Sequence, residues 1–315
     1  MRAYLIRRLL QTVVVLLFVS VAVFVIIRLV PGDPAVVMLG QEAPPGAADQ
    51  VRHELGLDQP IPVQYAYWLR EVARGNFGVS WRSKQPALSL IARRVPATVT
   101  LTVAATVVAL AIALPLGILS GTRPYSWLDN LCTIFSLFGV AMPSFWLGLM
   151  LILLFSVALG WLPPTGWVPF DEDPTESFKY LVMPAVTLGV GFAAPLTRFL
   201  RSGMLDVMGL DYMRTARAKG LPGQLLVLRH ALKNALLPVT TVFGLFFGGL
   251  LGGAVLTESV FSWPGLGRLL VDSIEVRDYG VVQGVVLFVT LMFALVNLVV
   301  DLSYAYLDPR IRFEG

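Results

Sequence analysis

Six long stretches without a charged side chain constrain the fold of this chain more than any other feature. They cover residues 9–27, 95–122, 130–170, 180–197, 234–257 and 279–300. Each can supply the ~20 apolar residues that a helix needs to cross a hydrocarbon core. Only 14% of the 315 residues are charged, against about 25% in a soluble domain. The sequence therefore predicts an all-α polytopic membrane protein with six transmembrane helices.

Two of these stretches need interpretation before they are counted as spans. The stretch 130–170 is longer than one span, and Trp161-Leu-Pro-Pro-Thr-Gly-Trp167 has the paired aromatics of an interfacial exit, so we place the end of that span near Leu159. The first stretch exceeds the usual core of a signal peptide, and no small-x-small cleavage pattern precedes Pro31-Gly-Asp-Pro34. We therefore interpret it as a retained helix.

The distribution of Lys and Arg predicts the orientation. Twelve basic residues lie before the first stretch, between the second and third, within 201–233 and after the last, whereas segments 160–179 and 258–280 hold three. Segment 28–94 holds eight, but it is longer than the ~60 residues over which loop charge predicts orientation. By the positive-inside rule both termini are expected in the cytoplasm.

The sequence lacks the residues that several classes of function require. A single cysteine, Cys132, and two histidines, His53 and His230, provide neither a disulfide nor a cluster with metal-ligand spacing. None of the four lysines follows glycine, so the chain has no P-loop, and no catalytic motif is present. Apart from Arg198 the stretches have no ionisable group for ion coupling. We expect a non-enzymatic chain without catalytic residues, cofactor, metal or nucleic acid, whose nucleotide energy comes from another protein.

Segment 201–233 contains six basic residues and a predicted short helix. Asp211 suits its N-cap, Gly220 its end, and Leu221-Pro222-Gly223 a turn after it. At ~100° per residue, Tyr212, Met213 and Ala216 share one face, with Arg214 and Arg217 towards the other. This distribution of polar and apolar residues over the helix faces leaves two interpretations of the helix open.

The first interpretation is a basic amphipathic helix resting on anionic lipid headgroups. The second is a docking helix whose small residues, Ala216, Ala218 and Gly220, seat closely in a groove of a partner protein. The two interpretations differ in whether charge or shape determines the contact.

The same residues resemble a known family. Arg214-Thr-Ala-Arg-Ala-Lys-Gly220, followed by Arg229-His-Ala-Leu-Lys-Asn-Ala-Leu-Leu-Pro238, is similar to the cytoplasmic coupling loop of ABC importer permeases, in the version of the dipeptide and oligopeptide branch. Further stretches resemble the first permease of that branch along nearly the whole chain. They are Leu29-Val-Pro-Gly-Asp-Pro34, Leu55-Gly-Leu-Asp-Gln-Pro60, Gly75-Asn-Phe-Gly-Val-Ser80, Glu258-Ser-Val-Phe-Ser-Trp-Pro-Gly-Leu-Gly267 and Leu307-Asp-Pro-Arg310.

The resemblance implies a type I ABC importer permease in a bacterial plasma membrane, forming half of a path for di- or oligopeptides. It implies an unlike second permease, two ATPase subunits that bind ATP and Mg, and an extracytoplasmic solute-binding protein. Permeases of this branch for nickel or glutathione, a stand-alone channel or carrier, and a polytopic enzyme remain alternatives. The implied organisation is an N-terminal helix (1–30), an external loop subdomain (31–94), a five-helix core (95–300) and a cytoplasmic tail (301–315).

The resemblance also implies two sets of functional residues. The predicted ATPase-coupling residues are Tyr212, Arg214, Thr215, Ala216, Arg217, Lys219, Gly220 and Leu221. The residues predicted to line the translocation path are Thr240, Thr241, Gly244, Gly248 and Gly252, although glycines on a span also serve close helix packing.

Overall fold

A computed structural model describes residues 2–29, 36, 46–54 and 58–307. These residues are mainly helical, and the β-structure among them is one isolated bridge between Val79 and Pro86. The helices are α1 (Arg2–Leu29), α2 (Ala47–Glu54), α3 (Ile61–Ala73), α4 (Ala87–Thr122), α5 (Trp127–Ala141), α6 (Ser144–Leu151), α7 (Pro174–Met208), α8 (Asp211–Ala218), α9 (Gly223–Leu225), α10 (Leu232–Gly253), α11 (Val255–Val260), α12 (Leu266–Glu275) and α13 (Tyr279–Leu307). Two π-helical segments, Ile152–Ala158 and Leu226–Ala231, extend α6 and join α9 to α10.

Five helical segments of the described chain are long and apolar enough to cross a membrane, and a bent pair would make a sixth. The five are Ile6–Leu29, Ala87–Thr122, Pro174–Met208, Val242–Val260 and Tyr279–Val300. The prediction of an all-α polytopic chain is confirmed.

The third predicted span is two helices. α5 and the helical segment Ser144–Ala158 are bent by 102° where they meet. The cause is Pro143: Met142 before it has φ −81° and ψ 121°, the extended conformation that a residue preceding proline prefers. The helical structure of segment 130–159 is therefore interrupted at Pro143 and is not one continuous span.

α7 is the most extensively buried of the long helices, and local sequence explains its start. Asp173 caps it, accepting hydrogen bonds from the amides of Thr175 at 2.9 Å and Glu176 at 3.0 Å. Pro174 occupies the first turn, where its missing N–H costs nothing. The helix continues through the internal Pro184 to Met208, so the first residues of segment 201–233 belong to it.

The chain divides into two compact units, residues 1–96 with 265–292, and residues 97–264 with 293–315. In the first unit α3 packs against α1, with the Tyr65 ring 5.2 Å and the Trp68 ring 5.5 Å from the Phe24 ring, between centroids. A turn over residues 78–87 is fixed by a hydrogen bond from Ser80 Oγ to Asp278 Oδ2. The described part of segment 31–94 is thus packed structure.

The second unit has two apolar clusters. One surrounds Trp263, which is fully buried and donates a hydrogen bond from Nε1 to the carbonyl of Ala97 at 2.9 Å. The other joins the end of α7 to α8 and α10 and includes Leu200, Met204 and Met213. The candidate site lies on this second cluster.

Parts of the predicted motifs lie outside the described residues. They are Pro31-Gly-Asp-Pro34, the beginning of Leu55–Pro60, and the tail from Asp308 onward.

Candidate functional site

α8 is the short helix that the sequence predicted, shifted by one residue. It runs over Asp211–Ala218, and Gly220 follows it with φ +73°, the left-handed conformation that ends a helix. The prediction that Asp211 is the N-cap is wrong: Leu210 holds that position, and no side chain caps the helix. Asp211 lies in the first turn, where its negative charge interacts favourably with the positive end of the helix dipole, and its Oδ1 is 3.4 Å from Arg214 Nη1.

One face of α8 is anchored in the apolar cluster. Met213 is fully buried there, and Ala216, one turn later, packs against the same cluster. The cluster brings together Met204 and Val207 of α7 with Leu226, Ala231 and Ala235 of the α9–α10 region. α8 therefore rests on two helices that belong to candidate spans.

A polar contact adds to this anchor. Asn234 Nδ2 donates a hydrogen bond to the Tyr212 hydroxyl at 2.8 Å, and that hydroxyl lies 3.4 Å from the carbonyl of His230. The π-helical segment Leu226–Ala231 turns both of its end residues into the cluster. The contact fixes α8 to the beginning of α10 by shape and by hydrogen bonds together.

The opposite face of α8 is open. Arg214, Thr215, Arg217, Ala218 and Lys219 are all exposed, and so is Gly220. Ala216 is only half-buried against the cluster, so of the three small residues predicted to enter a groove only Ala218 and Gly220 lie on the open side. Leu221 is partly buried after the turn.

A buried ion pair lies one helical turn before Met204 on α7. The Arg201 guanidinium donates two hydrogen bonds to the Asp129 carboxylate, from Nε to Oδ1 at 2.6 Å and from Nη2 to Oδ2 at 2.8 Å. The Ser120 hydroxyl also donates to this carboxylate, and so does the amide of Tyr125 at 2.9 Å. The pair joins the end of α4, the start of α5 and α7 beside the site.

Sequence reasoning missed this ion pair. The signal available was an acidic residue directly before a long uncharged stretch, and a second arginine three residues after Arg198. Partners 72 residues apart in the chain cannot be matched from one sequence.

The residues predicted to line the path lie along α10. A Cβ added to Gly244 would lie 2.6 Å from Val300 Cγ1, and one added to Gly248 would lie 2.7 Å from Phe293 Cδ2. Both glycines thus let α13 approach α10 closely. Thr240 is half-buried, and the side-chain surroundings of Thr241 and Gly252 lie outside what the structure describes.

Neither the site nor the rest of the described chain holds a group of metal ligands. No cluster of three or more His, Cys, Asp or Glu side chains occurs within the described ranges. The site offers contacts and charge, and it offers no nucleophile paired with a base.

Comparison with known proteins covers nearly the whole chain. Residues 113–313 match a family model described as the binding-protein-dependent transport system inner membrane component, and residues 1–102 match the model of its N-terminal region. The glutathione transport system permease protein GsiC of Pectobacterium atrosepticum is 44% identical over 99% of both chains. The protein of the same name from Escherichia coli K12 has the same identity and coverage.

Two solved structures have a similar fold. An inward-facing structure of the MetNI methionine ABC transporter superposes with a TM-score of 0.54 at 19% identity, over 70% of this chain and 96% of that one. A crystal structure of an amino acid ABC transporter with histidines gives a TM-score of 0.50 at 15% identity, over 69% and 94%.

Proposed function

The chain belongs to the family of inner membrane components of binding-protein-dependent transport systems, and from that premise we propose that it forms half of the path of an ABC importer for short peptides. It is an ABC importer permease, a multi-pass inner membrane protein that performs no chemistry itself. The permeases named above transport glutathione, which is chemically a tripeptide. Short peptides are therefore the solute class that agrees with both the sequence resemblance and these relatives.

The observation that carries the mechanical part of the proposal is the two-faced packing of α8. Met213 and Ala216 fix the helix to α7 and α10, while Arg217, Ala218 and Lys219 face outward. A partner that moves the outer face therefore displaces the ends of two membrane helices. In this proposal ATP and Mg bind to two ATPase subunits, whose closure moves α8 and changes the side on which the path opens.

The proposed assembly also contains a second, unlike permease and an extracytoplasmic solute-binding protein. We place Thr240, Thr241, Gly244, Gly248 and Gly252 on the α10 helix beside the path, with Gly244 and Gly248 allowing α10 and α13 to move as a packed pair. Much of the selectivity for the solute would reside in the binding protein.

Purification of the tagged chain with its genomic neighbours tests the function. We expect an unlike permease and two ATPase subunits to co-purify, and ATP hydrolysis in liposomes to rise several-fold when the peptide-loaded binding protein is added. A matched sample with the unloaded binding protein is the control. A chain that transports solute when purified alone, without an ATPase, would be a carrier or channel and would contradict the proposal.

Orientation is tested by thiol labelling from one side. We propose that both termini and α8 are cytoplasmic and that segment 160–179 is external, because the basic residues divide in this way. In a Cys132→Ser background, Asp171→Cys should react with an impermeant thiol reagent in right-side-out vesicles, and Lys219→Cys only after the vesicles are opened. Both positions are exposed, and Asp171 is preferable to Asp173, which caps α7. Labelling of Lys219→Cys in sealed vesicles would reverse the orientation.

A further inference from the structure

One face of α3 is fixed to the last turns of α1 by side-chain hydrogen bonds. The Tyr65 hydroxyl lies 2.8 Å from Ser20 Oγ. Gln64 Oε1 accepts two hydrogen bonds from Arg28, from Nε at 3.2 Å and from Nη2 at 2.8 Å. The Arg28 guanidinium itself folds back along α1, because its Nη1 donates to the carbonyl of Phe24 at 3.1 Å. α3 therefore lies beside the end of α1 and not above it.

The uncharged stretch of α1 gives the depth of this contact in a bilayer. Residues 9–27 measure about 28 Å in an upright helix, which is close to the ~30 Å of a hydrocarbon core, so Arg28 marks one boundary of the core. Phe24 is four residues inside this boundary, or about 6 Å. Its ring lies 5.5 Å from the Trp68 ring, between centroids, so the inner face of α3 is inside the boundary too.

α13 gives the same depth independently. Its uncharged stretch begins directly after Asp278, and Trp68 packs against the apolar cluster that contains Val282. Val282 is four residues inside this second boundary, again about 6 Å. A helix that lies in the plane of the membrane interface typically buries its apolar face by roughly 5–10 Å. The contacts of α3 with both spans therefore place it at the depth of an interfacial helix.

The opposite face of α3 is apolar and exposed on this chain. Val63 and Tyr67, one helical turn apart, are 50% and 68% exposed, and Ile61 at the start of the helix is 58% exposed. Ile61, Val63 and Tyr67 form what we call the outer row. Ala66, between Val63 and Tyr67, is also exposed, and the charged residues of α3 are confined to its last turn. The outer row thus offers no charge to water or to a polar partner.

The lipid-facing surface of α1 continues towards the outer row. Val21 and Val25, which directly follow the contact residues Ser20 and Phe24, are 46% and 40% exposed within the uncharged stretch of α1. Acyl chains that cover these two valines reach the depth of α3. Tyr67 has an apolar ring with a polar tip, the type of side chain that is enriched where acyl chains meet headgroups.

We propose that α3 is an interfacial helix of the leaflet in which α1 ends, and that its outer row binds lipid at the boundary between acyl chains and headgroups. This placement goes beyond the proposed function, because it requires that α1 spans the bilayer and not that the chain imports a peptide. It also ties the turn over residues 78–87, which follows α3 closely, to the membrane surface.

Spin-label accessibility in liposomes that contain the assembled complex tests the placement. In a Cys132→Ser background, labels are attached at Val63→Cys and Tyr67→Cys. Phe18→Cys, 75% exposed in the uncharged stretch of α1, is the lipid reference, and the exposed Asp171→Cys is the water reference. Power-saturation EPR gives the ratio of collision rates with oxygen, which concentrates in acyl chains, and with a water-soluble nickel chelate.

We expect this ratio at both α3 positions to be at least threefold higher than at Asp171→Cys and lower than at Phe18→Cys. A smaller increase over Asp171→Cys would place the outer row in water and overturn the proposal. A ratio equal to that at Phe18→Cys would contradict the interfacial depth. Low collision rates with both reagents would show that a protein surface covers the outer row, which also overturns the proposal. The measurement needs no transport, so failure of the importer function would leave its result unchanged.

Discussion

Replacement of Asp129 by Asn is expected to lower the free energy of unfolding of the permease by about 3 kcal/mol. Breaking a buried pair leaves the remaining charge unpaired at a cost of roughly 3–5 kcal/mol. We expect the lower end of this range because the Arg201 side chain is 29% exposed and can recruit water, whereas Asp129 is 4% exposed. Loss of the acceptor also leaves the Ser120 hydroxyl and the Tyr125 amide with a weaker partner.

The chain carries its own reporter for this measurement. Cys132 is 5% exposed and lies one helical turn after Asp129, so a thiol-reactive fluorescent dye detects it only when the start of α5 opens. Thermal unfolding of the detergent-solubilised protein, followed with this dye, should show a clearly lower midpoint for Asp129→Asn and for Arg201→Gln. The double variant should cost less than the two single variants added together, because neither charge is then left alone.

A matched control is the pair of Lys179 and Glu176. Its Nζ and Oε1 atoms are 2.6 Å apart, as close as those of the buried pair, but both side chains are more than 40% exposed. Glu176→Gln should therefore change the midpoint little, since exposed pairs contribute about 0–1 kcal/mol. Equal effects at Asp129 and Glu176 would show that burial does not determine the strength of these pairs.

Proline shows how far the sequence predicts the fold. Pro143 and Pro184 both interrupt apolar stretches, where a proline either kinks a helix or ends it. α7 continues through Pro184, which is buried among neighbours, whereas the exposed Pro143 ends α5 completely. The local preference of the preceding residue is the same in both places, and the packing that opposes it comes from residues far away in the chain.

The candidate site shows a similar division between local and distant causes. The C-terminal end of α8 was predictable from Gly220 and Pro222, and its faces from helical periodicity, whereas its N-cap was predicted one residue too late. The side of the helix that turns inward depends on Met204 and Leu226, which belong to other helices. The sequence therefore predicted a docking surface that included Ala216, and the structure places that residue against the apolar cluster.

Correct placement of the faces determines which substitution tests the coupling role of α8. Ala216→Trp would overpack the cluster at a cost of roughly 1–3 kcal/mol, and Gly220→Trp would put a side chain at φ +73°. A loss of activity in either variant would therefore not separate coupling from folding. Ala218 is exposed, helical and on the open face. A bulky residue there leaves the anchor at Met213 intact.

We therefore expect Ala218→Trp to reduce ATP hydrolysis stimulated by the binding protein at least tenfold, while the chain still inserts and keeps its unfolding midpoint. The reason is steric, since a close backbone contact in a groove has no room for an indole. Asp171→Trp, an exposed position in segment 160–179, is the control for tryptophan itself.

Arg217→Gln should act weakly, because exposed ion pairs contribute about 0–1 kcal/mol. A helix that rests on lipid predicts the reverse order, as each basic residue near an anionic surface contributes about 1 kcal/mol to membrane binding. Full stimulation of Ala218→Trp together with failure of Arg217→Gln would assign α8 to the membrane surface and end its role as the link to an ATPase.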